Sequence, residues 1–132
     1  MRVKILSIGD HSEPKIVEFA YRSGGGLARW KSNDAHVPLG KEVDVEMDID
    51  LELRIGQNAA LIAGGGQGIF MAENGEVVVV MVVEGQDDDG MLHCRVGGDC
   101  LVMIEAESEE HLAVGTCVSL LLQPRDLCLT AI

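Results

Sequence analysis

Nothing in this chain approaches the ~20 consecutive apolar residues that a membrane-spanning helix requires. The opening run, MRVKILSIGD, is broken by charge before seven apolar residues accumulate, which predicts no secretory signal and a cytoplasmic chain. Aromatic side chains are scarce: Phe19, Tyr21, Trp30 and Phe70 are the whole complement. Heptads, low-complexity tracts and long linkers are missing too. So are the signatures of common chemistries. The glycine cluster at 64–68 is followed by neither Lys-Ser/Thr nor a helical pattern, and a phosphate cradle needs both. Cys94 and Cys100 lie further apart than the gap favoured by structural zinc sites, and His93 and Cys94 on one strand point to opposite faces. With no serine elbow, no cysteine beside a base and no carboxylate pair in a burying environment, the expectation is a non-enzymatic protein with no catalytic residue, cofactor or metal.

What the chain does have is aliphatic. Its 132 residues are 47% hydrophobic, mostly Val, Leu, Ile and Met, with 16 glycines. That composition suits short strands joined by tight turns, and the length allows one domain or two small lobes. Cys94, Cys100, Cys117 and Cys128 lie in or beside apolar runs, which reads as buried free thiols rather than a disulfide framework. The net charge is -12, unevenly spread: up to Lys31 six basic residues face three acidic ones, and beyond it four face nineteen.

Residues 42–55 alternate charged and apolar side chains more strictly than any other stretch. In an extended chain successive side chains point to opposite faces. Val43, Val45, Met47, Ile49, Leu51, Leu53 and Ile55 therefore line a core side, and Glu42, Asp44, Glu46, Asp48, Asp50 and Glu52 an outer one. A helix would scatter the same apolar residues around its circumference. Fully extended, the segment would run roughly 45 Å, more than twice a usual strand, so it must bend or be shared between lobes.

Turn chemistry punctuates the rest. Gly9 to Pro14 separates two strand-like runs, and Gly24 to Gly26 breaks the chain before Leu27. Asn74-Gly75 predicts a hairpin with a type I′ turn, and Asp89-Gly90 and Gly97-Gly98-Asp99 mark further turns of a meander. Val77 to Val83 is apolar without a break, the pattern of a strand covered on both faces. Glu105, Glu107, Glu109 and Glu110 mark an exposed link of about one helical turn before the last two strands.

The closing segment Val114 to Thr130, through Gly115, Val118, Pro124, Asp126, Leu127 and Leu129, resembles the end of a TOBE domain, a small OB-like barrel of transporter ATPases and molybdate-binding proteins. The resemblance implies a binding or regulatory module. The Ser-Ala-Arg-Asn type of anion-binding segment of molybdate binders has no match here.

The expected fold is therefore all-β, with two small lobes of antiparallel strands: an N-terminal β lobe at 1–54 and an OB/TOBE-like barrel at 55–132. The expected function is an acidic binding or regulatory module whose carboxylates at Glu42, Asp44, Glu46, Asp48, Asp50 and Glu52 engage a protein with a basic surface. Two alternatives stand beside it. Phe19, Tyr21, Arg22, Arg29, Trp30 and Lys31 combine aromatics with cations, as single-stranded nucleic-acid sites do, although the nineteen acids that follow repel phosphates. The other alternative is small-anion or nucleotide sensing by the TOBE-like barrel. No membrane contact is expected.

Overall fold

The computed structural model describes every residue except 11–14, 23, 34, 35, 99 and 108–110, together with the side chain of Asp10. Most of the turn expected before Lys15, Asp99 of the Gly97-Gly98-Asp99 turn, and Glu109 and Glu110 of the acidic link lie outside the described residues. The described residues form an all-β structure: β1 (Arg2–Asp10), β2 (Ile16–Tyr21), β3 (Gly24–Lys31), β4 (Glu42–Ile49), β5 (Glu52–Leu53), β6 (Ala59–Ile62), β7 (Gly68–Met71), β8 (Val77–Gln86), β9 (Met91–Val96), β10 (Cys100–Ala106), β11 (Cys117–Leu122) and β12 (Leu127–Ala131). A single 3-10 turn, Pro124–Asp126, precedes β12. Glu105 lies within β10, so the strand claims the start of the segment read as a link.

Five strands close into a barrel. β1 pairs with β2 and β2 with β3, both antiparallel. β12 runs parallel to β3 and antiparallel to β4, and β4 returns antiparallel to β1. The ring thus takes its fifth strand from the other end of the chain, joining residues that the sequence places in separate lobes. The sheet continues from β3 through β7 into a second part of order β5-β10-β9-β8-β11-β6, and Ile55, two residues past β5, bridges to Ala59 of β6.

The alternating segment serves both parts. Its first half is β4, inside the ring; at Asp50 the backbone N–H donates to Asp126 O at 2.7 Å, the chain bends, and Glu52 and Leu53 then pair parallel with Glu105 and Ala106 of β10. Val45, Met47, Ile49 and Leu53 are buried, and they join one continuous cluster that also holds Phe19, Met81, Leu120 and Leu129. No polar or charged residue among those described is buried.

β8 is the axis of the second part. One edge pairs with β11 along Val77 to Val82, and the other with β7 first and β9 after. Val77, Val79, Met81 and Val83 point inward and are fully buried. The outer set corrects the expectation of a strand covered on both faces: Val78, Val80 and Val82 remain half-buried. Their neighbours in the sheet shield them from the side, and that lateral cover falls short of a second layer.

Two turns differ from the sequence reading. The Asn74-Gly75 hairpin forms between β7 and β8, but only Gly75 has positive φ, at 84°. Gly75 N–H donates to Ala72 O at 3.0 Å, and Asn74 Oδ1 accepts from Glu76 N at 3.1 Å. The local side-chain bond holds Asn74 outside the left-handed region, so the loop is longer than a two-residue type I′ turn. The triple glycine does not break the chain. Gly24, Gly25 and Gly26 are already strand, paired with Tyr21, Ala20 and Phe19.

A side chain at Gly24 has no room. Gly24 has φ of 122°, and a Cβ there would stand 2.0 Å from Ile69 O, across the register pair that links β3 to β7. Gly24→Ala must part these strands and is expected to destabilise the protein by about 3 kcal/mol in chemical denaturation. Unchanged stability would show that β3 and β7 do not approach this closely.

Candidate partner-binding face

The outer row of β4 is solvent-facing as its alternation dictates: Glu42, Asp44, Glu46 and Asp48 are exposed and their neighbours turn inward. Not all of this charge is available to a partner. Asp44 lies 3.9 Å from Arg2, Asp50 3.1 Å from Arg29, and Glu52 3.7 Å from Arg54. Among the described residues Glu42, Glu46 and Asp48 have no cation within ion-pair distance.

Register places part of the basic cluster on the same outer face. Lys31 pairs with Thr130 and Thr130 with Glu46; Arg29 pairs with Cys128 and Cys128 with Asp48. Two strand spacings, roughly 10 Å, separate these cations from the acids, about one screening length at moderate salt. On this side the acidic row is thus partly compensated.

On the other side it meets an apolar strand. Leu101, Met103 and Glu105 project outward from β10 while Cys100, Val102, Ile104 and Ala106 point inward. A cleft of about 270 Å³ between β4 and β10 is lined by Glu46 and Asp48 on one wall and Leu101 and Met103 on the other. Past Met103 a second cleft of about 260 Å³ is lined by Asp50, Glu52, Met91 and Glu105. The two adjoin at Met103, and each sets carboxylates beside apolar side chains, a groove in two parts. Leu101 and Met103 are 60% and 57% exposed. The sequence could not single these residues out, because 100–104 is apolar throughout and gives no cue to which side faces out.

The aromatic and basic residues named for nucleic-acid binding are not brought together as a set. Phe19 is buried in the core, 1% exposed, and has no face for a base. Tyr21 and Arg22 line one depression with Arg2, Lys4 and Glu42, whereas Trp30 lines another, of about 710 Å³, with Arg2, His36, Lys41 and Glu42. Arg29 is held by Asp50, and Lys31 is exposed. Among the described residues no group of three or more His, Cys, Asp or Glu is placed to hold a metal ion. Nor is any helix among them long and apolar enough to cross a membrane. Comparison with known proteins finds no family model, no curated protein and no solved structure that matches this chain.

All four cysteines are free; Cys94, Cys100 and Cys128 are buried, and Cys117 is half-buried. Burial pushes the Cys94 thiol up to about 12 from its ordinary 9, and the charge of Glu84 adds to the shift. The unfolded chain loses this proton near 9 while the folded one keeps it. The contribution is therefore whole below pH 9 and is lost as pH rises through about 12. In urea titrations the parent should lose stability over this window faster than Cys94→Ala; parallel curves would show that the thiol ionises as readily in the folded protein.

Proposed function

We propose that this chain is a non-enzymatic binding module and that its β4–β10 groove takes a basic, amphipathic segment of another protein. Apolar side chains of the partner would seat on Leu101 and Met103, and its Lys or Arg side chains would meet Glu46, Asp48 and Glu105. The observation that carries the reading is the exposure of Leu101 and Met103 beside Glu46 and Asp48, carboxylates with no cation within ion-pair distance among the described residues. An exposed apolar strip bounded by charge of one sign is the anatomy of an interface: the strip supplies affinity, and the charge supplies selectivity and rate of encounter. The closed ring supports an OB-like reading, for a barrel built from β1 to β4 with β12 rather than from residues 55–132, and such barrels serve as binding platforms. Four residues of the TOBE-like signature lie at its closure, Pro124 and Asp126 in the 3-10 turn and Leu127 and Leu129 buried in β12, while Gly115 and Val118 lie before and within β11, outside the ring.

A synthetic peptide alternating lysine and leucine serves as the probe, with a glutamate and leucine peptide as its counterpart. Glu46→Gln with Asp48→Asn should weaken lysine-peptide binding about tenfold and flatten its salt dependence, since each decade of affinity is about 1.4 kcal/mol. Asp88→Asn with Glu73→Gln removes the same charge elsewhere and should change binding less than about twofold, as expected of exposed charges outside a contact. Equal losses in the two pairs would mean that only net charge matters and that the groove is not the site.

A further inference from the structure

The outer face of β8 and its neighbours carries no charged side chain across three rows of the strand register. Phe70, Val78 and Leu121 stand in line on β7, β8 and β11. Gly68, Val80, Ser119 and Ala60 form the next row, and Val82, Cys117 and Ile62 the third. Phe70 is 45% exposed and Leu121 43%. The charged side chains at its borders are engaged within the chain, Arg95 by a carboxylate and Glu76 by neutral amides. Arg95, beside Val82, pairs with Glu84 and also donates to Gly98 O at 2.9 Å. Glu76, at the opposite border, accepts from Gln123 Nε2 at 3.2 Å and from Asn74 Nδ2. A contiguous apolar surface of this kind on an otherwise highly charged protein marks a contact.

We infer that this face binds a second copy of the same chain, two sheets packing face to face about a two-fold axis. Charge selects the partner. With 22 acidic and 10 basic residues, two copies repel each other over most approaches and can meet closely only where charge is missing. A basic protein would gain nothing here from its charge, and an anionic lipid surface would be repelled by the rest of the chain. Shape agrees. Phe70 and Leu121 make a ridge, while the small side chains of Ser119 and Ala60 beside Val80 make a trough next to it, with Gly68 buried at its end. A two-fold axis sets the ridge of each copy into the trough of the other, the self-complementarity that an isologous contact requires. Two such faces would stack at about 10 Å, as sheets do in sandwiches. The edge of β6 extends the surface: β6 pairs with β11 alone apart from the bridge at Ala59, and Ala60 on it is exposed. The face offers fewer residues than the 20 to 30 a side of a standard interface, so the dimer is weak and depends on concentration.

This inference does not rest on the groove reading, and salt separates the two. Docking of a basic segment weakens as salt rises, whereas contact between two acidic copies through a neutral face tightens as their repulsion is screened. Sedimentation equilibrium from low micromolar to near-millimolar protein should show monomer and dimer, with more dimer at high salt. Ser119→Lys puts an unpaired charge at the centre of the contact, and Phe70→Ser removes the ridge without touching the core. Each should raise the dissociation constant by at least about tenfold, while Leu101→Ser in the groove leaves it unchanged. Thermal unfolding checks each variant, and Phe70→Ser decides the matter if Ser119→Lys does not fold. A monomer at all concentrations and both salts, a dimer that survives the substitutions on this face, or one that Leu101→Ser disrupts would each overturn the inference.

Discussion

The arrangement depends on β12 lying between β3 and β4. Without Leu127 to Ala131, β3 and β4 would be two open edges and the five strands an unclosed sheet. β12 satisfies both edges at once, and its own core residues, Leu127 and Leu129, are fully buried. The 3-10 turn before it holds the closure in place: Gln123 N–H donates to Asp126 Oδ2 at 3.1 Å, and Asp126 O accepts from the Asp50 backbone as the alternating segment leaves the ring. The same short segment therefore closes the barrel and fixes the point where the chain turns toward β10.

Surface chemistry follows from that geometry. Because β4 is held as a strand of a closed ring, its carboxylates can only face outward, and because the chain then bends to pair with β10, the exposed Leu101 and Met103 come to lie alongside them. The other large apolar surface, around Val80, belongs to the second part of the sheet; at its borders Arg95 is paired with Glu84 and Glu76 is hydrogen-bonded by Gln123. One face is charged and apolar together; the other is apolar alone. On physical grounds they suit different partners, one of opposite charge and one of the same kind.

Sequence periodicity reported what is local. The alternation at 42–55, its division between two parts, the Asn74-Gly75 hairpin and the buried side of Val77 to Val83 all follow from side-chain direction and turn chemistry. What escaped it depends on partners distant in the chain. The triple glycine looks like a break until Ile69 O is placed against Gly24; only then is the need for a residue without Cβ visible. Phe19 and Trp30 are both aromatic among cations, and nothing local says that one is sealed in the core while the other is only half-buried. Leu101 and Val102 are chemically alike, and the pairing of β10 with β9 and β5 decides which of them meets solvent.

Backbone hydrogen exchange tests the closure most directly. If β12 completes the ring, the amides of Glu46 and Asp48, which face β12, and of Leu129 should be among the slowest to exchange and should share the free energy of opening of Val3 and Val17, because the ring can release them only by unfolding as a unit. Fast exchange across Leu127 to Ala131 while β1, β2 and β3 stay protected would contradict this account.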